Sequence, residues 1–156
     1  MLTGATGYVG GRLLRKLEES GRAVRCMVRR PEALSGRTAE QTEIVYGDVL
    51  EPDSLREALA GVTVAYYLVH SMASSEPFAG ADRRGAENFA FAARKCGVSR
   101  IVYLGGLGAE DDLSTHLESR QEVGRILRES GVPTIEFRAS VVIGRASCRE
   151  RVSLTV

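Results

Sequence analysis

Three glycines with the spacing GxxGxxG, at Gly4, Gly7 and Gly10, constrain the fold of this chain more than any other feature. They lie between an apolar strand end at residues 1–3 and a helical pattern over 8–20. Gly4 permits a tight turn, Gly7 lets the backbone approach a pyrophosphate, and Gly10 lets the helix pack close to the strand. The free N–H groups and positive potential of the helix N-terminus then predict a phosphate site, and the alternative is a glycine-rich turn without a ligand.

Short apolar runs alternate with helical patterns along the rest of the chain. This repeated order of strand, helix and strand is typical of parallel strands joined by right-handed crossovers. We therefore predict an α/β fold with a doubly wound parallel sheet of Rossmann type, whose ligands bind at the carboxyl ends of the strands. Strands are predicted at 23–28, 43–46, 62–69, 100–104 and 134–137, and helices at 8–20, 52–59, 79–96 and 115–130.

The composition argues against several classes of function. A net charge of +1 gives no reason to expect nucleic acid or an anionic membrane surface as a partner. No apolar run is long enough to span a bilayer and no signal peptide opens the chain, so a reducing cytoplasm is the expected location. The three cysteines form no CxxC pair and lie far in sequence from both histidines, which argues against a metal site and a disulfide framework.

The motif TGATGYVG at residues 3–10 resembles the TGxxGxxG fingerprint of extended and atypical short-chain dehydrogenases/reductases. More closely, the chain resembles the NmrA-like, NAD(P)H-binding branch of that superfamily, over nearly everything from Thr3 to about Gly144. The shared runs include GDV at 47–49, YYLVHSM at 66–72, YLGGLG at 103–108 and SRQEVGRILRESGVP at 119–133. The resemblance implies a domain that binds NAD(P)(H) and works on a small-molecule substrate whose identity the sequence does not reveal.

This resemblance also implies which residues contact the cofactor. Asp48 would bond the adenine amino group with Val49 against the ring, and the alternative for Asp48 is a turn or N-cap role before Pro52. Tyr8 would pack over the nucleotide, and His70 would be a contact only, with a partly exposed strand-end histidine as its alternative. The implied set comprises Thr3, Gly4, Thr6, Gly7, Tyr8, Val9 and Gly10 in the loop, Asp48 and Val49 after the third strand, and Leu68, Val69 and His70 at the end of the fourth.

The residues after the second strand bear on which nucleotide is bound. NAD-specific sites usually carry an acid about 20 residues beyond the loop, where it bonds the ribose hydroxyls. This chain has Val28-Arg29-Arg30-Pro31 there, with no acid before Glu32. Since a guanidinium fork suits a 2′-phosphate, we predict a preference for NADP(H), with Arg29 as the first candidate, Arg30 as the second and NAD(H) as the alternative cofactor. The alternative for both arginines is a solvated basic pair after a strand.

The catalytic pair of the resembled superfamily is missing. Its reductases use a tyrosine and a lysine four residues later on one helix face, with a serine at the end of the fifth strand. Here Arg120 takes the lysine position and His116 the tyrosine position, while the strand ends in Gly105 and Gly106. His116 is able to move a proton near neutral pH, and Arg120 is able to hold a ribose but not to act as a base. The alternative is that both are solvated helix residues.

The two ends of the chain bear on how much of an enzyme is expected. Only three residues precede Gly4, so we expect a shortened first strand, and the polar, basic residues 145–156 show no family pattern. We expect one nucleotide-binding domain over 1–144, a non-native or disordered tail over 145–156, and no C-terminal substrate region. Two hypotheses of function follow: an NAD(P)-dependent oxidoreductase that transfers hydride to or from a small organic substrate, and a non-catalytic NADPH-binding sensor, regulatory or structural subunit.

Overall fold

Six parallel strands form one sheet in the described part of the chain, and the first strand of the sequence lies in the interior of that sheet. The computed structural model describes residues 1–69, 78–107 and 115–139. The strands are β1 (Leu2–Thr3), β2 (Arg25–Val28), β3 (Glu43–Tyr46), β4 (Val64–Tyr67), β5 (Arg100–Gly106) and β6 (Thr134–Ala139). The helices are α1 (Tyr8–Glu19), α2 (Pro52–Leu59), α3 (Phe78–Lys95) and α4 (Thr115–Glu129), with a short 3-10 helix at Pro31–Leu34.

The strand order is β3-β2-β1-β4-β5-β6, and every pair of neighbours is parallel. The order reverses between β1 and β4, where Leu2 pairs with Cys26 on one side and with Tyr66 on the other. In a sheet of this kind, a crevice opens beyond the carboxyl ends of the strands at the reversal. The predicted doubly wound α/β fold is confirmed.

Neighbouring residues of β2 belong to different hydrophobic cores because successive side chains of a strand point to opposite faces of the sheet. Cys26 packs with Leu2 and with Leu14 of α1 on one face. Met27 packs on the other face, with Phe89 of α3 and with residues of α2 and α4. Since helices cover both faces, β2, β4 and β5 lack the alternation of polar and apolar residues that a half-exposed sheet would show.

The bounds of β4 differ from the sequence prediction for a reason that concerns the site. The strand runs over Val64–Tyr67 rather than over 62–69. The main-chain N–H of Leu68 donates to the side-chain oxygen of Thr3 at 2.9 Å, so it does not continue the ladder of main-chain hydrogen bonds. β5 and β6 both run two residues further than predicted, because their carboxyl ends pair with each other.

The ends of two helices are fixed by specific hydrogen bonds. α1 is followed by Gly21, which has a φ of 68° and donates its N–H to the carbonyl oxygen of Glu18 at 2.9 Å. At the C-terminus of α2, the guanidinium of Arg25 donates to the carbonyl oxygens of Ala58 at 2.9 Å and Ala60 at 2.7 Å. Because Arg25 begins β2, these bonds attach the end of α2 to the sheet.

Within the described ranges, no helix is long and apolar enough to cross a membrane. No group of three or more His, Cys, Asp or Glu side chains in those ranges is arranged to hold a metal ion. His70 and the predicted tail over 145–156 lie outside the described residues, as does the predicted domain end at Gly144.

Candidate functional site

The glycine loop between β1 and α1 is held in its conformation by the close approach of main-chain atoms. Gly4 has a φ of 68°, and a Cβ there would lie 2.6 Å from the carbonyl oxygen of Leu68. The N–H of Gly7 donates to the carbonyl oxygen of Gly4 at 3.0 Å, which closes the turn. A Cβ at Gly10 would overlap that same oxygen. The turn therefore requires glycine at positions 4 and 10, and α1 packs directly against it.

The N-terminus of α1 lies at the carboxyl end of β1 without a side-chain cap. Gly7 is the N-cap residue and makes no capping bond within the described residues, and the first turn contains no acid. In an α-helix, the N–H groups of Tyr8, Val9 and Gly10 have no carbonyl one turn earlier to accept their hydrogen bonds. Thr6, Gly7 and Tyr8 are exposed. An uncapped first turn at the positive end of a helix suits an anion such as a pyrophosphate.

The Arg12 side chain stacks on the ring of Tyr8 at the surface of α1. The Tyr8 side chain is 43% exposed, and the Cζ atom of Arg12 lies 4.7 Å from the centroid of its ring. Residues four apart share one helix face, so the guanidinium stacks over the ring. This contact places a positive charge one turn beyond the open N–H groups. Arg12 is not among the predicted site residues, because a spacing of four from Tyr8 occurs in any helix and does not by itself indicate a stacked cation.

Thr3 is fully buried, and its hydroxyl joins the two strands at the reversal of the sheet. Its Oγ1 donates to the carbonyl oxygen of Tyr66 at 3.0 Å and accepts from the N–H of Leu68 at 2.9 Å. Leu68 and Val69 follow β4 and are half-buried. The structure thus brings three predicted site residues together at the carboxyl ends of β1 and β4, and it gives the Thr3 side chain a part in holding these strands together.

Arg29 and Arg30 directly follow β2, and both side chains are exposed. The carbonyl oxygen of Arg30 accepts the N–H of Ala33 at 3.0 Å, which starts the 3-10 helix. Neither guanidinium has a hydrogen-bond or ion-pair partner in the part of the chain that the structure describes. Because β2 lies beside β1 in a parallel sheet, these two cations lie at the carboxyl ends of the strands, as the glycine loop does.

Asp48 forms a turn after β3, which is one of the two roles that the sequence left open. Its Oδ1 accepts the N–H of Leu50 at 2.9 Å. Its own N–H donates to Ser54 Oγ at 3.0 Å, and that hydroxyl also lies 3.2 Å from the carbonyl oxygen of Asp48. The turn uses one oxygen of the half-buried carboxylate, so the second oxygen is available to another donor.

Val49 is held from α3 by Gly85 and Asn88, which are not among the predicted site residues. The side-chain nitrogen of Asn88 donates to the carbonyl oxygen of Val49 at 3.0 Å, across 39 positions of sequence. A Cβ at Gly85 would lie 2.8 Å from Val49 Cγ2, so the missing side chain lets α3 approach the valine. No local pattern indicates either contact, because both depend on where α3 packs against the end of β3.

Of the two catalytic candidates, only Arg120 has a side chain among those that the structure describes. Its Nη2 donates to the carbonyl oxygen of Leu104 at 2.9 Å, and its own carbonyl oxygen accepts the hydroxyl of Tyr103 at 2.8 Å. Arg120 therefore lies against the carboxyl end of β5, beside Gly106. His116 belongs to the first turn of α4, and its side chain is outside the described positions.

The tyrosines of β4 and β5 that face α3 are core residues. Tyr67 and Tyr103 are almost fully buried, and the ring of Tyr67 packs edge-on against Phe89 with centroids 4.8 Å apart. Burial raises the pKa of Tyr103 to about 12 and raises the pKa of Tyr67 as well. Neither phenol is matched to proton transfer near neutral pH.

The glycine loop begins the region of this chain that matches a known protein family. A family model described as NAD(P)H-binding matches residues 4–136, from the first glycine of the loop into β6. Among curated proteins, sterol demethylase protein B of Methylococcus capsulatus is 32% identical to this chain over 114 residues. That alignment covers 70% of this chain and 34% of the relative.

Solved structures share the fold over nearly the whole chain. The triphenylmethane reductase of Citrobacter sp., complexed with NADP(H), is 27% identical with a TM-score of 0.77, over 90% of this chain and 48% of that one. An NADPH-dependent quinone oxidoreductase of Escherichia coli, complexed with NADPH, is 25% identical with a TM-score of 0.75, over 88% of this chain and 47% of that one. The chain therefore spans about a third of the curated relative and about half of each solved structure.

Proposed function

This chain belongs to the NAD(P)H-binding family, and on that premise we propose that it forms the cofactor-binding part of an oxidoreductase that prefers NADP(H). The observation that carries the proposal is the glycine loop, which leads into an uncapped helix N-terminus beside the reversal of the sheet between β1 and β4. Ligands of open α/β sheets bind in the crevice at such a reversal. The preference for NADP(H) over NAD(H) and the oxidoreductase reaction are both parts of this proposal.

The pyrophosphate of the cofactor would lie against the first turn of α1. The N–H groups of Tyr8, Val9 and Gly10 supply donors, and Gly7 has no side chain to keep a phosphate at a distance. The exposed hydroxyl of Thr6 lies in the same loop. The Tyr8 ring, with the Arg12 guanidinium stacked over it, would cover the nucleotide and add positive charge beside its phosphates.

Arg29 and Arg30 would bind the 2′-phosphate that distinguishes NADP(H) from NAD(H). Both are exposed at the carboxyl ends of the strands, where the glycine loop also lies, and no anionic partner neutralises them in the described ranges. A guanidinium makes paired, charge-assisted hydrogen bonds to a phosphate. The similar triphenylmethane reductase was crystallised with NADP(H), which supports the same preference here.

The adenosine and the ribose phosphates would lie between the ends of β3 and β4. The second carboxylate oxygen of Asp48 would accept the adenine amino group, with Val49 against the ring. Asp48 would stabilise the turn and bind the adenine at the same time, because the turn occupies only one of its two carboxylate oxygens. Leu68 and Val69 would line the path of the cofactor across the sheet, and His70 would follow them as a further contact.

When bound, the nicotinamide supplies or accepts the hydride, and the protein positions it and excludes competing reactions. Arg120 would hold the nicotinamide ribose, because its bond to the Leu104 carbonyl oxygen keeps it at the carboxyl end of β5. His116, one turn earlier on α4, would hold or move a proton near neutral pH. The substrate is proposed only as a small organic molecule with a carbonyl group or an activated alkene.

A second candidate function is an NADPH-binding sensor, regulatory or structural subunit without turnover. The feature that favours it is the guanidinium of Arg120 itself, which is able to hold a ribose but not to act as a base. β5 also ends in Gly105 and Gly106, so no hydroxyl there would orient a substrate oxygen.

Thermal melting of the protein alone, with NADPH and with NADH tests the proposal. A ligand that binds only the folded state stabilises it by about 2.7 kcal/mol at a hundredfold excess over its dissociation constant. We expect a clear rise in Tm with NADPH and a smaller rise with NADH. Equal rises would contradict the NADP(H) preference, and a cooperative melt that neither nucleotide shifts would contradict the binding site. NADPH oxidation in the presence of carbonyl and alkene substrates then separates the oxidoreductase from the non-catalytic subunit.

A further inference from the structure

We infer that Asn88 is a positioning residue for the adenine end of the cofactor site, through its hydrogen bond to the carbonyl oxygen of Val49. The inference rests on the proposed function, since it concerns how the turn at Asp48 and Val49 is held for the adenine.

The hydrogen bonds of Asp48 hold the turn after β3 from its own side. Asp48 bonds to Leu50 and to Ser54, and both of these residues belong to the same turn and the start of α2. Such bonds fix the shape of the turn but not its position relative to β4 and α3. Asn88 supplies that position, because it bonds Val49 from a different element, with a donor-to-acceptor distance of 3.0 Å.

The approach of α3 to this turn is unusually close at one point. A Cβ at Gly85 would lie 2.8 Å from Val49 Cγ2 and 3.3 Å from the hydroxyl oxygen of Tyr67. Gly85 and Asn88 are three positions apart, so they lie on the same face of α3. Gly85 thus admits the valine side chain while Asn88 bonds the valine main chain, and the two contacts together fix which surface Val49 offers to the cofactor.

The chemistry of the amide separates Asn88 from the residues that bind phosphate. Its side chain is neutral, so its removal leaves the charge around the glycine loop unchanged. Without the hydrogen bond from Asn88, the Asp48 carboxylate and the Val49 side chain would be held less firmly in position. The effect should therefore depend mainly on the 6-amino group of adenine, which Asp48 would recognise, because Val49 would contact only the ring.

The experiment compares the dissociation constants of NADPH and of its hypoxanthine analogue, in which an oxo group replaces the 6-amino group. We expect the wild-type protein to bind NADPH more tightly than the analogue. Asn88→Ala should weaken NADPH binding about three- to tenfold, the equivalent of one hydrogen bond, and should weaken binding of the analogue much less. Asn88→Leu keeps about the size of the side chain, adds no charge and removes the donor, so it is measured by the same criteria in case the alanine variant folds poorly.

Ser99→Ala is the matched control. It removes another bond between a side chain and a main-chain carbonyl, from Ser99 Oγ to Thr63 at 2.8 Å, at the amino ends of β4 and β5. It should change neither dissociation constant. If the Asn88 variants lose affinity for both nucleotides equally, or for neither, the inference is overturned. A wild-type protein that binds both nucleotides equally overturns the adenine assignment as well, and one that binds neither overturns the proposed function itself.

Discussion

The carbonyl oxygen of Gly4 occupies the space that a Cβ at Gly10 would need. The same oxygen accepts the N–H of Gly7 that closes the turn. α1 therefore lies as close to the loop as two main chains allow, and the loop cannot admit a side chain without opening that turn. The spacing of these glycines is thus a requirement of packing, whether or not a phosphate is bound.

Gly10→Ala should lower the free energy of unfolding by about 1–3 kcal/mol or more, because overpacking forces main-chain atoms apart. The displaced loop should also lose its affinity for the nucleotide, which thermal melting with and without NADPH measures. Gly80→Ala, in the first turn of α3, is the control, since the nearest atom to a Cβ there is Arg84 Nη1 at 4.0 Å. Equal melting temperatures for the two variants would contradict the packing argument.

Thr3→Val should lower the free energy of unfolding by about 1–3 kcal/mol, because it leaves the N–H of Leu68 without its acceptor inside the protein. Urea denaturation at neutral pH measures the change. Thr3→Ser keeps the hydroxyl, so it should lose less stability than the valine variant. If valine proves as stable as threonine, the bond across the reversal of the sheet contributes nothing measurable.

Arg29→Ala should weaken NADPH binding about tenfold or more and leave NADH binding nearly unchanged, because only NADPH carries the 2′-phosphate. Titration of each nucleotide into the variant and the wild type measures both constants. Arg22→Ala removes another exposed arginine, which lies before the amino end of β2, and it should change the binding of neither nucleotide. Equal losses of NADPH and NADH affinity in Arg29→Ala would remove the assignment.

The stability of the protein should fall as the pH rises above about 9. Burial raises the pKa of the Cys26 thiol to about 11 in the folded protein, against 9.0 when it is unperturbed. The unfolded chain therefore loses this proton at a lower pH than the folded chain, so the stabilisation is complete below pH 9 and is lost between pH 9 and 11. Burial of Tyr103 extends the decline toward pH 12.

Urea denaturation between pH 8 and pH 11 measures this decline. Cys26→Ala removes the buried thiol, so its free energy of unfolding should be lower at neutral pH but should fall less steeply between pH 9 and 11. Cys96→Ala is the control, since that thiol is partly exposed. The same slope in wild type and Cys26→Ala would show that the buried thiol does not link stability to pH.

The sequence predicted those parts of the site that depend on one short segment. The tight turn at Gly4 and the close packing at Gly10 follow from the absence of a Cβ, which the spacing alone reveals. The two roles left open for Asp48 were not separable from the sequence, because a carboxylate with two oxygens is able to serve both. The structure shows the turn role and keeps one oxygen for a second partner. Arg12 was missed because a stacked cation has no motif of its own.

By itself, the sequence determined the α/β class, the parallel sheet and the position of the glycine loop, because periodicity and glycine spacing act over a few residues. Only the tertiary structure decided that the Thr3 hydroxyl joins β1 to Leu68, 65 positions away, and that Asn88 holds Val49, 39 positions away. The first bond exists because β4 lies beside β1 in the sheet, and the second because α3 packs against the turn after β3. Contacts of this kind depend on the arrangement of whole elements, which no local pattern of residues encodes.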